Sequence, residues 1–165
     1  MQTLKQYIEE KQEGKSGTYA AMNFAPISAY QIAKYVSEHR IPSPVPPEKL
    51  HVTLMYSRRT LVGYQSQGEI APMPVRVIGF DVWDTHDGKK ALVARLDAPE
   101  LEARHRYLMD TYNGTYDFPD YKPHFTMSYD VGPGWAASKM PLFEHPLYLD
   151  HEYSKPLDLD WTPDK

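Results

Sequence analysis

The sequence predicts an α+β domain in which one succession of elements occurs twice. Each half of the chain carries a strand, a helix, a proline-containing loop and a second strand that begins with a His-x-Thr triplet. The triplets lie in HVTLMYS, residues 51–57, and HFTMSYD, residues 124–130. A length of 165 residues with 41% apolar side chains suits one domain, or two small lobes that share a core. We therefore expect residues 1–165 to form a single bilobal domain.

The first half begins with a short strand and a helix. TYAAMNF, residues 18–24, is typical of a strand, and apolar residues recur at helical spacing from Ile27 to His39. RIPSPVPPEKL, residues 40–50, contains four prolines, which fix φ and remove backbone donors. This segment is expected to be a stiff loop that leads to a strand beginning at His51.

The second half begins with a pair of strands. VRVIGFDVWDT, residues 75–85, and KKALVARLD, residues 89–97, are rich in strand-forming residues, and the Asp-Gly in HDGK between them predicts a hairpin turn. Apolar residues at helical spacing then predict a helix over 99–112. NGTYDFPDYKP, residues 113–123, is a loop that leads to the strand containing His124.

The C-terminal segment YLDHEYSKPLDLDW predicts one or two further strands, with a loop around Lys155 and Pro156. No sequence period of the kind that builds solenoids is present, so the two halves represent one duplication at most.

Composition excludes several classes of protein. A chain without cysteine has no disulfide, iron–sulfur cluster or thiolate zinc site. No apolar run approaches the roughly twenty residues that span a membrane, and MQTLKQYIEEKQEGK at the start is charged and unlike a signal peptide. A formal charge of −4 argues against a protein that coats long nucleic acid. We expect a cytoplasmic protein, for which a small anionic ligand in a locally basic pocket is still possible.

The two triplets are unlikely to be a coincidence of composition. Seven His and nine Thr in this chain give about 0.4 expected His-x-Thr triplets. When an apolar residue is required between His and Thr and another after Thr, two matches have a chance of roughly a few per thousand. A purely structural explanation is acceptable for either triplet alone but hard to accept for the pair.

Strand geometry indicates what the doublet can do. Side chains alternate across a strand, so each His shares one face with its Thr while the intervening apolar residues share the other. If the two strands face one cleft, two imidazoles and two hydroxyls converge there. One neutral and one protonated imidazole can accept and donate protons near neutral pH, and threonine hydroxyls can donate to the non-bridging oxygens of a phosphate. The pattern favours a phosphodiester site that needs no metal.

These residues resemble the signature of the two-histidine (2H) phosphoesterases, which is an H-x-[ST]-apolar motif on each of two pseudo-symmetric lobes. The resemblance covers nearly the whole chain in element order. It implies an α+β fold with two lobes of antiparallel sheet and outer helices around a central cleft. Length, the proline-rich approach to the first motif and the aromatic C-terminal region most resemble the phage anti-CBASS phosphodiesterases, which degrade the cyclic oligonucleotide signals of bacterial antiviral defence. Ser128 is a departure, because the family usually has an apolar residue there.

The resemblance implies that His51 and His124 are the catalytic pair and that Thr53 and Thr126 bind the phosphate. It implies hydrolysis of 3′–5′ phosphodiester bonds in cyclic di- or trinucleotides without a metal or other cofactor, in the cytoplasm of an infected bacterium. Long nucleic acid and membranes are not expected partners, and the sequence leaves the oligomeric state open.

A nucleotide ligand also needs surfaces for its bases. Tyr19, Trp83 and Trp161 are candidates for stacking on a base, and Glu152 for accepting a hydrogen bond from a base amino group. Each has an equally good structural explanation as a packing residue. Arg58, Arg59 and Lys122 adjoin the motif strands and could supply a local positive charge, although most such side chains are simply solvated.

The remaining histidines do not indicate a zinc site. His105 lies on the apolar stripe of the second helix, where a hydrogen-bonded, half-buried imidazole is expected. His145 and His151 lack the spacing of zinc ligands on one helix.

Three other functions remain open at this stage. The first is a 2H enzyme that acts on RNA ends or on 2′,3′-cyclic phosphates. The second is a non-catalytic protein that sequesters cyclic nucleotides, although sequestration needs no pair of proton-transfer groups. The third is a structural phage protein, which leaves the doublet unexplained.

Overall fold

The computed structural model describes residues 17–157. Within this range the α-helices and strands are β1 (Gly17–Phe24), α1 (Pro26–Glu38), β2 (His51–Ser57), β3 (Gly68–Asp84), β4 (Lys90–Asp97), α2 (Pro99–Tyr112), β5 (His124–Ser128) and β6 (Leu147–Leu157). Two short 3₁₀-helices, Pro47–Lys49 and Ala137–Lys139, lie in the loops. No helix in the described range is long and apolar enough to cross a membrane.

The six strands pair antiparallel in the order β2-β1-β6-β3-β4-β5. The long strand β3 joins the two halves, because its first part pairs with β6 and its second part, from Arg76 onward, pairs with β4. The two strands that begin with His51 and His124 are therefore the two ends of the strand order. The predicted α+β class and the predicted antiparallel pairing are confirmed.

Both motif strands alternate as predicted. Val52 and Leu54 on β2, and Phe125 and Met127 on β5, are almost fully buried in the core, while the intervening His and Thr side chains are only partly buried. Period-2 alternation thus places the apolar residues in the core and the polar residues on the opposite face.

The proline-rich loop after α1 is attached to β5. The N–H of Val45 donates to the carbonyl of Met127, the N–H of Tyr129 donates to the carbonyl of Ser43, both at 3.0 Å, and Pro44 bridges to Ser128. The buried Ser128 hydroxyl donates to the carbonyl of Pro42. A polar residue fits at this position because it binds the loop that leads into β2.

Two sequence-based boundaries were wrong, and proline explains both. Strand β3 starts at Gly68, before the predicted start at Val75, and contains Pro72 and Pro74. Strand β6 continues through Lys155 and Pro156, where a loop was predicted. Each proline lies in a stretch that has only one neighbouring strand, since β4 pairs with β3 only from Arg76 and β3 pairs with β6 only up to Glu152. Such edge positions tolerate a residue without an N–H.

Glu152 is completely buried on the face of β6 that carries α2, and its carboxylate is fully engaged. It accepts hydrogen bonds from the Arg104 guanidinium at 2.9 and 3.1 Å, from the Tyr64 hydroxyl at 2.8 Å and from the N–H of Gln67 at 3.0 Å. The predicted role of Glu152 in binding a base is therefore wrong. The carboxylate joins β6, α2 and the loop before β3.

Substituting Glu152 with Ala should lower the free energy of unfolding by about 3–5 kcal/mol, because the Arg104 guanidinium loses the partner of a buried ion pair. Urea denaturation measures the change. Glu38→Ala is the control, since its ion pair with Lys34 spans 3.8 Å between exposed side chains and should contribute less than about 1 kcal/mol. Equal effects of the two substitutions would contradict the assigned role of Glu152.

Candidate active site

Both motifs line one cavity of about 820 Å³. His51 and Thr53 contribute from β2, and His124 and Thr126 from β5. The Tyr121 hydroxyl, just before β5, donates to the Thr53 carbonyl at 2.7 Å and ties the two motif strands together. The structure thus brings together the four residues that the doublet singled out, and their catalytic roles remain a prediction at this point.

The two imidazoles are held in the same way. Nδ1 of His51 lies 2.8 Å from the carbonyl oxygen of Lys49, and Nδ1 of His124 lies 2.9 Å from that of Lys122. A carbonyl oxygen only accepts, so Nδ1 carries the proton in both rings. Each Nε2 is then the atom that accepts a proton in the neutral ring and donates one in the charged ring.

The surroundings of His124 favour its neutral form. Its ring packs against Trp83, with the ring centroids 4.5 Å apart. Burial lowers the pKa of His124 below the ordinary histidine value, and the nearby charge of His51 lowers it further, while the hydrogen bond to the Lys122 carbonyl opposes the shift. His124 is therefore neutral near pH 7.

Tyr19 positions Thr53 and offers no platform to a base. Its hydroxyl lies 3.0 Å from Thr53 Oγ1, its ring meets the edge of His51, and Lys155 lies over it. Only 6% of the residue is exposed, so the predicted stacking of a nucleobase on Tyr19 is wrong. Burial also raises the pKa of Tyr19, so its hydroxyl stays protonated.

The loop after α2 forms one wall of the cavity and is fastened to the end of β2. The Arg58 guanidinium makes two hydrogen bonds to Asp117, at 3.0 and 2.9 Å, and Tyr116 stacks on Tyr56 at 4.7 Å. The loop presents Phe118 to the cavity with half of the side chain exposed. Arg58 is thus already neutralised by a carboxylate.

The other predicted site residues have different positions. Trp83 lines the cavity and is 38% exposed, as a stacking residue requires. Glu152 lies on the opposite face of the sheet, and Trp161 lies outside the described residues. His105 is hydrogen-bonded as predicted, with Nδ1 bonded to the Leu54 carbonyl and the ring stacked on Tyr121, but it is buried where a half-buried position was predicted. Between residues 17 and 157, no group of three His, Asp or Glu side chains is arranged to hold a metal ion.

Sequence reasoning missed two features of the cavity. Phe118 gave no signal, because an aromatic residue in a loop has no periodicity to follow. The sequence did indicate Lys49, because a lysine stands two residues before the histidine in both motifs, but only Lys122 was considered as a source of positive charge.

The fold is similar to that of E. coli LigT, a 2H phosphoesterase. A crystal structure of LigT complexed with NADP+ matches 91% of this chain and 91% of its own, with a TM-score of 0.55 at 13% identity. At this identity the likeness concerns the fold alone. Together with the double motif, it gives the protein the 2H phosphoesterase fold, as the sequence predicted.

Relatives with higher sequence identity show which family the chain belongs to. The family described as anti-CBASS protein Acb1 matches residues 16–164. Proteins of that name are 38% identical over 155 residues in Salmonella phage S16, covering 93% of this chain and 96% of the relative, and 37% identical over 156 residues in Enterobacteria phage T4, covering 94% and 97%. The chain belongs to the Acb1 family of anti-CBASS proteins, which confirms the resemblance found in the sequence.

An NMR titration of the histidine rings should find the pKa of His124 below the ordinary value of about 6.5, because burial and the charge of His51 both disfavour its imidazolium. His51→Gln removes the charge of His51 but leaves His124 buried. It should therefore raise the pKa of His124 only part of the way toward the ordinary value of about 6.5. His145→Gln, an exposed histidine outside the cavity lining, is the control and should leave it unchanged. A parent His124 pKa at or above 6.5 would contradict this electrostatic description.

Proposed function

We propose that the protein hydrolyses 3′–5′ phosphodiester bonds in cyclic di- or trinucleotides and thereby blocks CBASS signalling in the cytoplasm of an infected bacterium. The observation that carries the proposal is the pair of imidazoles with matching tautomers, each with Nδ1 bonded to a backbone carbonyl, in one cavity of a chain from the anti-CBASS family. Such a pair supplies an acid and a base without further groups.

The geometry supports the following sequence of steps. Neutral His124 takes the proton of a ribose 2′-hydroxyl through Nε2. The 2′-oxygen attacks the adjacent phosphorus, the bond from phosphorus to the 5′-oxygen breaks, and His51 gives its Nε2 proton to the departing oxygen. The product is a 2′,3′-cyclic phosphate, which water can open with the two roles exchanged. Because the base must be neutral, the rate should fall as the pH falls through the pKa of His124, below the ordinary histidine range.

The threonines stabilise the charge that develops. Hydroxyls of Thr53 and Thr126 lie on the same strand faces as the imidazoles and can donate to the non-bridging oxygens. Thr53 is held by the Tyr19 hydroxyl, which reduces the reorganisation needed when the phosphate binds.

The cavity suits a small cyclic nucleotide. Its volume of about 820 Å³ lies in the range of pockets for small molecules, roughly 300–1,000 Å³. Trp83 beside His124, and Phe118 on the loop, present exposed aromatic surface to the same space. Both are proposed to stack on nucleobases, which hold the scissile linkage near the imidazoles.

The chemistry is tested by incubating the purified protein, in EDTA, with a panel of cyclic di- and trinucleotides and resolving the products by chromatography. Cleavage should survive chelation, since the acid and the base are both imidazoles. His51→Ala and His124→Ala should each lower turnover by about 10²–10⁴-fold while binding largely persists, and His145→Ala should have no effect. A 2′-deoxy sugar at the attacking position should block cleavage at that linkage. Near-parental rates in both variants would show that the doublet is structural and would contradict the proposal.

Base stacking is tested by calorimetric titration of a cyclic dinucleotide into His51→Ala protein, which should bind without turnover. Trp83→Ala and Phe118→Ala should each weaken binding about ten- to a hundredfold, because one base loses its aromatic partner. Tyr30→Ala is the matched control, since Tyr30 is 65% exposed on α1 and does not line the cavity. Thermal melts of each variant identify loss of folding. Folded variants that bind like the parent protein would remove Trp83 or Phe118 from the site.

A further inference from the structure

A lysine stands two residues before each motif histidine, in KLHVTL, residues 49–54, and KPHFTM, residues 122–127. The residue between lysine and histidine, Leu50 or Pro123, is buried in both cases. Lys49 ends the short 3₁₀-helix Pro47–Lys49 and Lys122 lies in the loop before β5, so both lysines precede the motif strands. The lysine, histidine and threonine of each segment line the cavity, and the apolar residues between them are buried.

Each of these lysines has two separate relations to the site. Its backbone carbonyl accepts the hydrogen bond from histidine Nδ1, at 2.8 Å for Lys49 and 2.9 Å for Lys122. The lysine is also an exposed residue in the lining of the cavity. Every residue has a backbone carbonyl, so the hydrogen bond does not account for the choice of lysine at both positions.

The electrostatics of the cavity distinguish these two lysines from its other charges. Asp84 pairs with Lys90, Asp87 with Lys89 at 3.9 Å, and Asp117 with Arg58 at 2.9 Å. Neither Lys49 nor Lys122 makes an ion pair with any residue between 17 and 157. Two of these partner cations, Lys90 and Arg58, lie outside the lining and neutralise carboxylates within it. Lys49 and Lys122 then exceed the remaining carboxylate, that of Asp120, by one positive charge.

We propose that Lys49 and Lys122 bind the phosphate that lies between the two histidines, one lysine from each lobe. An ammonium group offers three donors and a full charge to non-bridging oxygens, whose negative charge grows as the 2′-oxygen attacks. The repeated unit of this site is then Lys-x-His-x-Thr, in which one residue binds the anion, one transfers a proton and one donates a hydrogen bond. The identity of the anion as a cyclic-nucleotide diester rests on the function proposed above.

Truncating these side chains tests the proposal cleanly, because alanine keeps the carbonyl that orients each imidazole. The variant Lys49→Ala/Lys122→Ala is compared with Lys34→Ala/Lys139→Ala. The control removes the same net charge from exposed lysines that do not line the cavity. A difference between the two variants therefore reports local charge and not the charge of the whole molecule.

The first measurement uses inorganic phosphate, followed through the NMR shifts of the histidine rings. The parent protein should bind phosphate in the cavity, and the Lys49→Ala/Lys122→Ala variant should bind it at least about tenfold more weakly, since two charge-assisted contacts are lost. The control should stay within about twofold. No phosphate binding by the parent protein, or equal binding by all three proteins, would overturn the proposal.

The second measurement is turnover of a cyclic dinucleotide at low and at high NaCl concentration. In the double alanine variant kcat/KM should fall roughly 10–100-fold, through a lower kcat and a higher KM. The rate of this variant should also depend less on salt than that of the parent protein. Lys49→Arg/Lys122→Arg should recover part of the rate, because it restores the charge. A full rate in the alanine variant would overturn the proposal.

The two measurements separate this inference from the proposed function. Phosphate binding that depends on the lysines, in a protein that cleaves no cyclic nucleotide, would reject the proposed substrate and retain the lysine site. Cleavage of cyclic nucleotides that does not depend on the lysines would retain the proposed substrate and reject the lysine site.

Discussion

The site depends on one constraint, that the two edge strands β2 and β5 lie near each other without pairing in the described part of the chain. Their apolar faces share one core and their polar faces line one cavity. β2 and β5 stand at opposite ends of the strand order, so their meeting brings the ends of one six-stranded arrangement together. The Tyr121 hydroxyl on the Thr53 carbonyl and the proline-rich loop along β5 hold them there. A direct ladder between β2 and β5 would bring the motif backbones to the spacing of paired strands, about 4.8 Å, and leave little room between them for a ligand.

The repeated motif gives the cavity two imidazoles that are held in the same way. Each half supplies an imidazole with its Nδ1 proton on the carbonyl two residues earlier. The two rings have the same tautomer, so the different roles proposed for them depend on their surroundings. Burial and the charge of His51 lower the pKa of His124, which favours its neutral form and the role of base in the proposed mechanism.

Burial determines whether a polar side chain in the sheet can contact a ligand or only other parts of the protein. Glu152 and Tyr19 both have groups that recognise nucleotides in other settings, yet each is almost completely buried here. Glu152 satisfies four donors on the helix side, and Tyr19 holds Thr53. Residues that contact a ligand directly must keep accessible surface, as Trp83 and Phe118 do.

The sequence by itself determined the class of fold, the two motif strands, both helices and the four residues at the cleft, because side-chain alternation and a repeated pattern are local properties of the chain. Only the tertiary structure decided that Glu152 faces α2, that Phe118 faces the cavity and that Pro74 and Pro156 lie within strands. These outcomes depend on which element lies next to a residue, through strand order and loop path. Hydrophobic periodicity along one chain carries no information about that neighbour.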